Sequence, residues 1–438
     1  MKRKQVVITF IFIIFSFGLI YGLNNSSTVR YEEGNLSDNL SISSFKDSHS
    51  LEWNFTGKGS HAYAITSDSS GNFYITGRTN GDIYLAKFNS SNHLQWNQTW
   101  GGNEDETINQ IVLDSFNNIY LGGHVDIGFG YTQLLLVKFN SLGQNQWNQT
   151  WGGGIGDFWL GMAVDSIDNI YLVGTTDNFT ISAVGCLVKF NSLGQYQWNR
   201  TWGGNSRSRV TDIVIDPSDN IYITGDISGV GGLDAFLIKY NNLGQYQWNR
   251  TYNFNNVQQA TSIALDSLNN IYIGGLVTNF SILDGDMFLL KYNQTGELQW
   301  DHIWGISGMD IIYDIALDSD NNIYLVGGVN NSAAKDFDFT LIHYDTSGLL
   351  QYNQTWGGNN KDIFLAITID LTDNLYLTGM KDGTNLYIEK YSRDIVTQNG
   401  QPSDTTIPFG NTFIIVFTFS FVILIIVDLK RKKLSKLK

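Results

Sequence analysis

The stretch LDSFNNIYLGG, Leu113 to Gly123, returns as VDSIDNIYLVG (Val164 to Gly174), IDPSDNIYITG (Ile215 to Gly225) and LDSLNNIYIGG (Leu265 to Gly275). Its frame is an Asp, an Asn four residues later, a Tyr six later and a Gly nine later. The frame occurs seven times, at Asp68, Asp114, Asp165, Asp216, Asp266, Asp318 and Asp370, with successive spacings of 46, 51, 51, 50, 52 and 52 residues. A fixed period near 50 residues marks a solenoid, propeller or array.

Four short β-type runs fill each unit. An apolar segment such as TSIALD precedes the Asp, and NIYLVG follows the turn. AFLIKY or MFLLKY comes next, and QWNQTW or QWNRTW is reached through an NSLGQ-like turn. Aromatic and β-branched residues occupy the runs, and Asn, Asp, Ser and Gly occupy the gaps. Four strands repeated seven times predict an all-β, seven-bladed β-propeller of four-stranded blades. A β-solenoid is the competing architecture, with coils of shorter repeat.

The phase of the repeat predicts closure. One Trp strand, LEWNFT at Leu51 to Thr56, precedes the first Asp frame, and none follows LYIEKY at Leu386 to Tyr391. Seven full sets exist only if the N-terminal strand completes the last blade, which leaves no open edge between first and last blades. DAFLIKYNNLGQYQWNRTY and TSIALDSLNNIYIGG resemble the SBBP-type β-propeller repeat and, more loosely, NHL repeats. The resemblance spans about Leu51 to Tyr391 and implies a propeller on a secreted or surface protein, with no particular activity. Departures are His343 in place of the repeated Lys, Tyr352 in place of Trp, and Tyr252 in place of the second Trp.

The ends have a different character. Residues 1–23 begin MKRK and continue into an apolar run, the pattern of a signal peptide or signal anchor. Residues 24–50 and 394–408 are polar linkers on either side of a propeller at 51–393. The apolar segment 409–427 approaches the ~20 residues of a membrane-crossing helix. It is followed by a basic tail at 428–438 that marks a cytoplasmic side. These segments predict a single-pass cell-membrane protein with the propeller outside.

The 438-residue chain is 42% hydrophobic and 16% charged, ample for a large core. Its formal charge is −14; without the nine basic residues and Asp428 of the two ends, the body carries −22. Such a body repels phosphate backbones, so nucleic acid is not an expected partner. The single cysteine, Cys186, excludes an internal disulfide.

The repeated Asp and Asn read as turn residues. Calcium is the rival ligand, because DSDNN at Asp318 alternates oxygen donors, but the turn lacks the glycine and terminal glutamate of an EF-hand loop. No cofactor or metal is otherwise implied. The strand lysines Lys87, Lys138, Lys189, Lys239, Lys291 and Lys390 read as aliphatic spacers. WNxT places N-glycosylation sequons at Asn54, Asn97, Asn148, Asn199, Asn249 and Asn353, on the expected outer strands.

Comparing the repeats with one another separates two faces. The Asp-to-Asn and NSLGQ-like turns vary little and share one face. The other connections, such as GGNEDE and HVDIGFGY, vary greatly and share the opposite face, where binding residues usually sit. Carboxylates recur there. Glu106, Asp157, Asp310 and Asp362 stand eight residues before the frame Asp; Asp82, Asp234, Asp286 and Asp338 stand five before the strand Lys or His343. These, with Phe129 and Tyr131, are the candidate binding face. Its expected partner is a protein or glycan at the cell surface, and turn capping is the competing role for the carboxylates. A structural envelope component and a carbohydrate-active enzyme are the alternative functions. No GxSxG, HExxH, P-loop or GxGxxG fingerprint stands in a strand–turn–helix context, so the expectation at this level is that the chain is not an enzyme.

Overall fold

A computed structural model describes residues 49–393, apart from 58–59, 80, 103, 130, 153–157, 177–183, 204–206, 230–231, 254–256, 280–283, 306–307 and 332–335. It also describes 29–30, 412–419 and 421–428. Residues 49–393 form seven four-stranded antiparallel sheets. In chain order their innermost strands are Ser60–Ser67, Asp105–Leu113, Phe158–Val164, Ser208–Ile215, Val257–Leu265, Asp310–Leu317 and Ile363–Ile369. Each touches the next, and the last touches the first, so the ring is closed. Blades are numbered here in that order.

Closure follows the expected strand. His49–Gly57 is the outermost strand of blade 7 and runs antiparallel to Asn385–Arg393, with Leu51 opposite Tyr391 and Gly57 opposite Leu386. The other outermost strands are Leu94–Trp100, Asn145–Trp151, Tyr196–Trp202, Tyr246–Tyr252, Leu298–Trp304 and Leu350–Trp356. The core is not one mass but seven apolar clusters, one at each blade–blade contact. Strand alternation sends one set of side chains to the preceding blade and the other to the following blade. The second strands therefore have water on neither face, and Ile119 to Leu121, for example, are wholly buried.

The glycine of the frame has a steric cause. Each innermost strand carries a β-bulge, as between Val210 and Asp212, and the frame glycine pairs beside it. A Cβ at Gly225 would stand 2.0 Å from the Arg209 carbonyl oxygen, and at Gly77 it would stand 1.6 Å from that of His61. No side chain fits there.

Near the bulges two aspartates tie blades together. Asp212 accepts from the N–H of Ile213 and of Ile263 in the next blade, and Asp314 accepts from Ile315 and from Ile367 in the next blade. Ser262 Oγ lies 3.1 Å from Asp212 and 2.8 Å from Asp314. A hydroxyl has one hydrogen to donate. Both contacts are hydrogen bonds only when one carboxyl holds a proton. Burial pushes Asp212 up to about 7, with the Asp314 charge adding to the effect, and pushes Asp314 up to about 6. Both folded values exceed the ordinary 3.8. The associated stability is full below that value and is lost as pH rises through the folded ones. The unfolding free energy should therefore fall between about pH 4 and 7, by an amount on the order of 2 kcal/mol, and the midpoint with it. In Asp212→Ser/Asp314→Ser the profile should flatten over that window. A wild-type midpoint that rises across it would contradict the shared proton.

Outside the ring the chain differs from expectation. Segment 409–427, expected as a helix, contains two strands, Thr412–Phe419 and Phe421–Asp428, paired as an antiparallel hairpin. Ten of the residues 412–428 are Val, Ile or Thr, whose branched Cβ favours extended backbone. Among the described residues no helix is long and apolar enough to cross a membrane. Within the expected linker 24–50, Val29–Arg30 pairs in parallel with His302 and Ile303, adding a fifth strand to blade 5. The signal segment 1–23 and the basic tail beyond Asp428 lie outside the described residues.

Candidate functional site

The repeated turn face is built from donors and acceptors that satisfy one another. In blade 3, Asp165 accepts from the N–H of Ile167 (3.1 Å), the N–H and side-chain amide of Asn169 (2.8 Å each) and the Tyr171 hydroxyl (3.0 Å). The same cage surrounds the frame Asp of all seven blades, with the Tyr contact at 3.0–3.2 Å in each. These hydrogen bonds hold Asp165 and Asp370 below the usual carboxylate range despite burial. The carboxylate oxygens are turned toward N–H and O–H donors, so the turn role weighed against calcium is the one the geometry displays.

The strand lysines do more than fill space. Lys138 Nζ lies 4.6 Å from the centre of the Tyr120 ring and 3.6 Å from Asp114, and it donates to the Ser192 carbonyl of the next blade at 3.3 Å. All six sit over the frame tyrosine in this way. In blade 6 the His343 ring stacks on Tyr324 at 4.5 Å. Burial lowers the His343 pKa to about 4, so a neutral ring stands where the other blades hold a cation.

Turns also latch to one another. Ser115, Ser166 and Ser319 each donate N–H and hydroxyl to an aspartate in the next blade, respectively Asp168, Asp219 and Asp373. The accepting residue sits three after the frame Asp in left-handed backbone, with φ of 64°, 61° and 61°. Sequence comparison missed this contact because its two halves belong to different repeats.

The outermost strand of blade 1 alternates. Trp96, Gln98 and Trp100 turn inward, while Asn97 and Thr99 are exposed. Trp96 covers Gly143 of the next blade, whose φ of 81° and 3.0 Å clearance to the ring demand glycine. Gln98, Arg200 and Arg250 donate to the corresponding carbonyls of Gly143, Gly244 and Gly296. The sequon asparagines Asn54, Asn97, Asn148, Asn249 and Asn353 are exposed and Asn199 is half-buried. Blade 5 has Asp301 in that place, buried and accepting from the Tyr252 hydroxyl at 2.8 Å. Two departures from the repeat thus form one contact.

On the opposite face the two carboxylate series meet. Asp82 and Glu106 converge on Gly101, Asp286 and Asp310 on Gly305, and Asp338 and Asp362 on Gly357. A Cβ on those glycines would stand 2.2–2.4 Å from the first carboxylate and 3.0–3.1 Å from the second. The inner members cap backbone. Glu106 accepts from Gly102 N–H at 2.9 Å, Asp310 from Asn330 at 3.1 Å, and Asp362 from Gly358 at 2.9 Å and Asp382 at 2.7 Å. Burial raises the pKa of Glu106 and of Asp362. The outer members Asp82, Asp286 and Asp338, and Asp234 in blade 4, are half-buried. Asp157 lies outside the described residues. Tyr131 is half-buried, and its N–H closes the loop onto Gly128 at 3.1 Å.

Between blades 1 and 2 this face opens into a recess of about 400 Å³ lined by Gly81, Asp82, Gly102, Glu104, Asp105, Asp126 and Gly128. Arg78 pairs with Asp105 at 2.5 Å on its wall. Phe129, next to Gly128, is fully exposed in left-handed backbone with φ 56°. Glu104, Asp105 and Asp126 were not singled out from the sequence, although GGNEDE and HVDIGFGY carry them. Only the fold brings those two loops to one place.

The class defined by this fold is the seven-bladed β-propeller. No family model matches the chain. It is 26% identical over 126 residues to an uncharacterised WD repeat-containing protein of Acanthamoeba polyphaga mimivirus, a match covering 23% of this chain and 9% of that protein. Among solved structures it resembles a catalytically inactive virginiamycin B lyase from Staphylococcus aureus bound to quinupristin. The TM-score is 0.53 and the identity 9%, covering 78% of this chain and 99% of that one. It also resembles the Dos1 propeller, with TM-score 0.46 and 10% identity over 78% of this chain and 95% of that one. The lyase corrects the expectation that the chain is not an enzyme. A ring of this fold carries catalysis, so missing familiar motifs do not exclude it. At 9% identity the likeness conveys the fold and none of the lyase's chemistry.

Proposed function

We propose that this chain is a surface binding module of SBBP type that recognises its partner through the variable-loop face. The observation that carries the reading is the contrast between the faces. On the turn face the repeated polar groups are consumed by cages and latches. On the other face, half-buried carboxylates return on loops that differ from blade to blade, on a body of formal charge −22. A basic protein partner suits such a rim better than a neutral glycan. Export through residues 1–23 and membrane anchorage through the apolar segment 409–427 belong to the same proposal, supported by the apolar character of both runs and the basic residues that flank them. Exposure of the sequon asparagines fits an exported ring carrying N-glycans.

The test compares two sets of neutralised carboxylates for binding to basic, acidic and neutral peptides and to a glycan array. Asp82→Asn, Asp286→Asn and Asp338→Asn should together weaken basic-peptide binding by about tenfold or more. Glu52→Gln, Glu297→Gln and Asp320→Asn should leave it within about twofold. Wild-type binding should also weaken as salt rises from ~0.05 M to ~0.5 M. Equal loss from both sets, or preference for uncharged glycans, would reject the reading.

A further inference from the structure

We infer that the recess between blades 1 and 2 is a socket for one cationic side chain, an arginine guanidinium presented by a basic segment of a partner protein. The inference rests on the reading of the variable-loop face as the binding surface and adds a place and a chemistry to it.

Four exposed or half-buried carboxylates, Asp82, Glu104, Asp105 and Asp126, line the recess, and Arg78 is the cation already paired there. An acidic recess alone specifies nothing. A second observation comes from Glu106, which is 4% exposed and is bonded to Gly102 of the lining. Its Oε1 is held by Gly102 N–H at 2.9 Å, while Oε2 has no hydrogen-bond partner. That oxygen faces Asp82, since both lie within 3.1 Å of the point a Gly101 Cβ would occupy. A buried carboxylate oxygen without a donor, beside a second carboxylate, is an acceptor pair that lacks its cation. Asp82 raises the pKa of Glu106 further, as the absence of a counter-charge requires.

The shape of the recess selects the cation. Its volume of about 400 Å³ suits a side chain rather than a bare ion. Among the described residues no three acidic or metal-ligating groups close on one point as a metal ion needs. Carboxylates arranged along a wall match the fork of a guanidinium, which makes paired N–H···O bonds. Phe129 stands at the edge, fully exposed on a left-handed turn, where its ring face is available to a cation. His124 packs edge-on against Phe158 nearby, and burial lowers its pKa, so it adds no competing charge near neutrality.

The test uses the full chain in detergent micelles and nine-residue Gly/Ser peptides with a central arginine, lysine or citrulline. Contact is read by saturation-transfer NMR on the peptide. Saturation is expected on the arginine side-chain protons, less on lysine and none on citrulline. Asp82→Asn/Asp126→Asn should reduce arginine binding at least tenfold, and Phe129→Ala about threefold. Asp286→Asn/Asp338→Asn, on the same face but in blades 5 and 6, should leave it unchanged. Thermal unfolding of each variant checks that the ring is intact. Loss of arginine binding only in Asp286→Asn/Asp338→Asn would overturn the socket while leaving the face as the binding surface. Loss in neither pair would overturn both readings. Equal binding of citrulline, or saturable calcium binding that displaces the arginine peptide, would overturn the guanidinium assignment.

Discussion

A chain beginning at residue 58 should fail to form a stable monomeric ring, whereas one beginning at His49 should fold normally. Strand His49–Gly57 supplies the whole outer edge of blade 7. Its Trp53 packs on Phe73 and Phe88 of blade 1, with ring centres 6.1 and 5.7 Å apart. Glu52 pairs with Lys390 at 2.9 Å, and His49 Nε2–H donates to the Asp373 carbonyl at 2.7 Å. Without the strand, blade 7 exposes the unpaired backbone of Asn385–Arg393, a template for other chains. Domains of ordinary stability hold only about 5–15 kcal/mol in reserve. Losing one strand and its blade–blade contact should consume at least about a third of that. Size-exclusion chromatography and calorimetry should show aggregation and a broadened, earlier transition. A synthetic peptide of residues 49–57 added in trans should restore the sharp one. An unchanged transition for the shorter chain would mean that the ring does not depend on this closure.

Asp165→Ala should be the most damaging single substitution on the turn face, costing about 3–5 kcal/mol. It removes the acceptor of three backbone and amide donors and of the Tyr171 hydroxyl, and it leaves Lys189 Nζ, now 3.3 Å from that carboxylate, as an unpaired, largely buried cation. Ser166→Ala, which deletes only the hydroxyl half of a latch, should cost about 1 kcal/mol. The double variant Asp165→Ala/Lys189→Met should recover part of the loss, because no cation is then left without its partner. Blade 6 supplies a natural precedent, since its neutral His343 occupies the cation's place over Tyr324. Equilibrium denaturation of the four proteins measures the cycle. Additivity of the two substitutions would show that the lysine and aspartate act independently.

Blade number, strand order and closure were legible because seven copies repeat a frame whose phase leaves one strand too early. The frame's Asp and Asn were legible as turn residues, but the lysine was not fully so. Its stem reads as a spacer, and only the fold brings its head over the tyrosine and beside the frame Asp. The frame glycine answers to a bulge in another strand, which a linear pattern does not reveal. The carboxylates divide in the same way. Glu106, Asp310 and Asp362 cap backbone, as the competing role had it, while Asp82, Asp286 and Asp338 keep exposure. Their pairing stayed hidden because each partner lies in a different repeat. Segment 409–427 reads as a helix from length and hydropathy, yet its branched residues pair locally as strands.

The forward-pointing latches carry a consequence for how such a ring changes over generations. Ser115, Ser166 and Ser319 each plug into the blade ahead, and the accepting aspartates lie in the corresponding turn of that blade, three residues after its frame Asp. Blade 3 brings both plug and socket, Ser166 and Asp168, whereas Pro217 and Leu371 stand in the plug position of blades 4 and 7. A duplicated blade that carries both halves, as blade 3 does, arrives already compatible with its neighbours, while its two long loops remain free to diverge. Recognition can be rewritten one blade at a time without renegotiating the ring, and a socket such as that between blades 1 and 2 becomes a heritable module defined by two adjacent copies rather than by the whole protein.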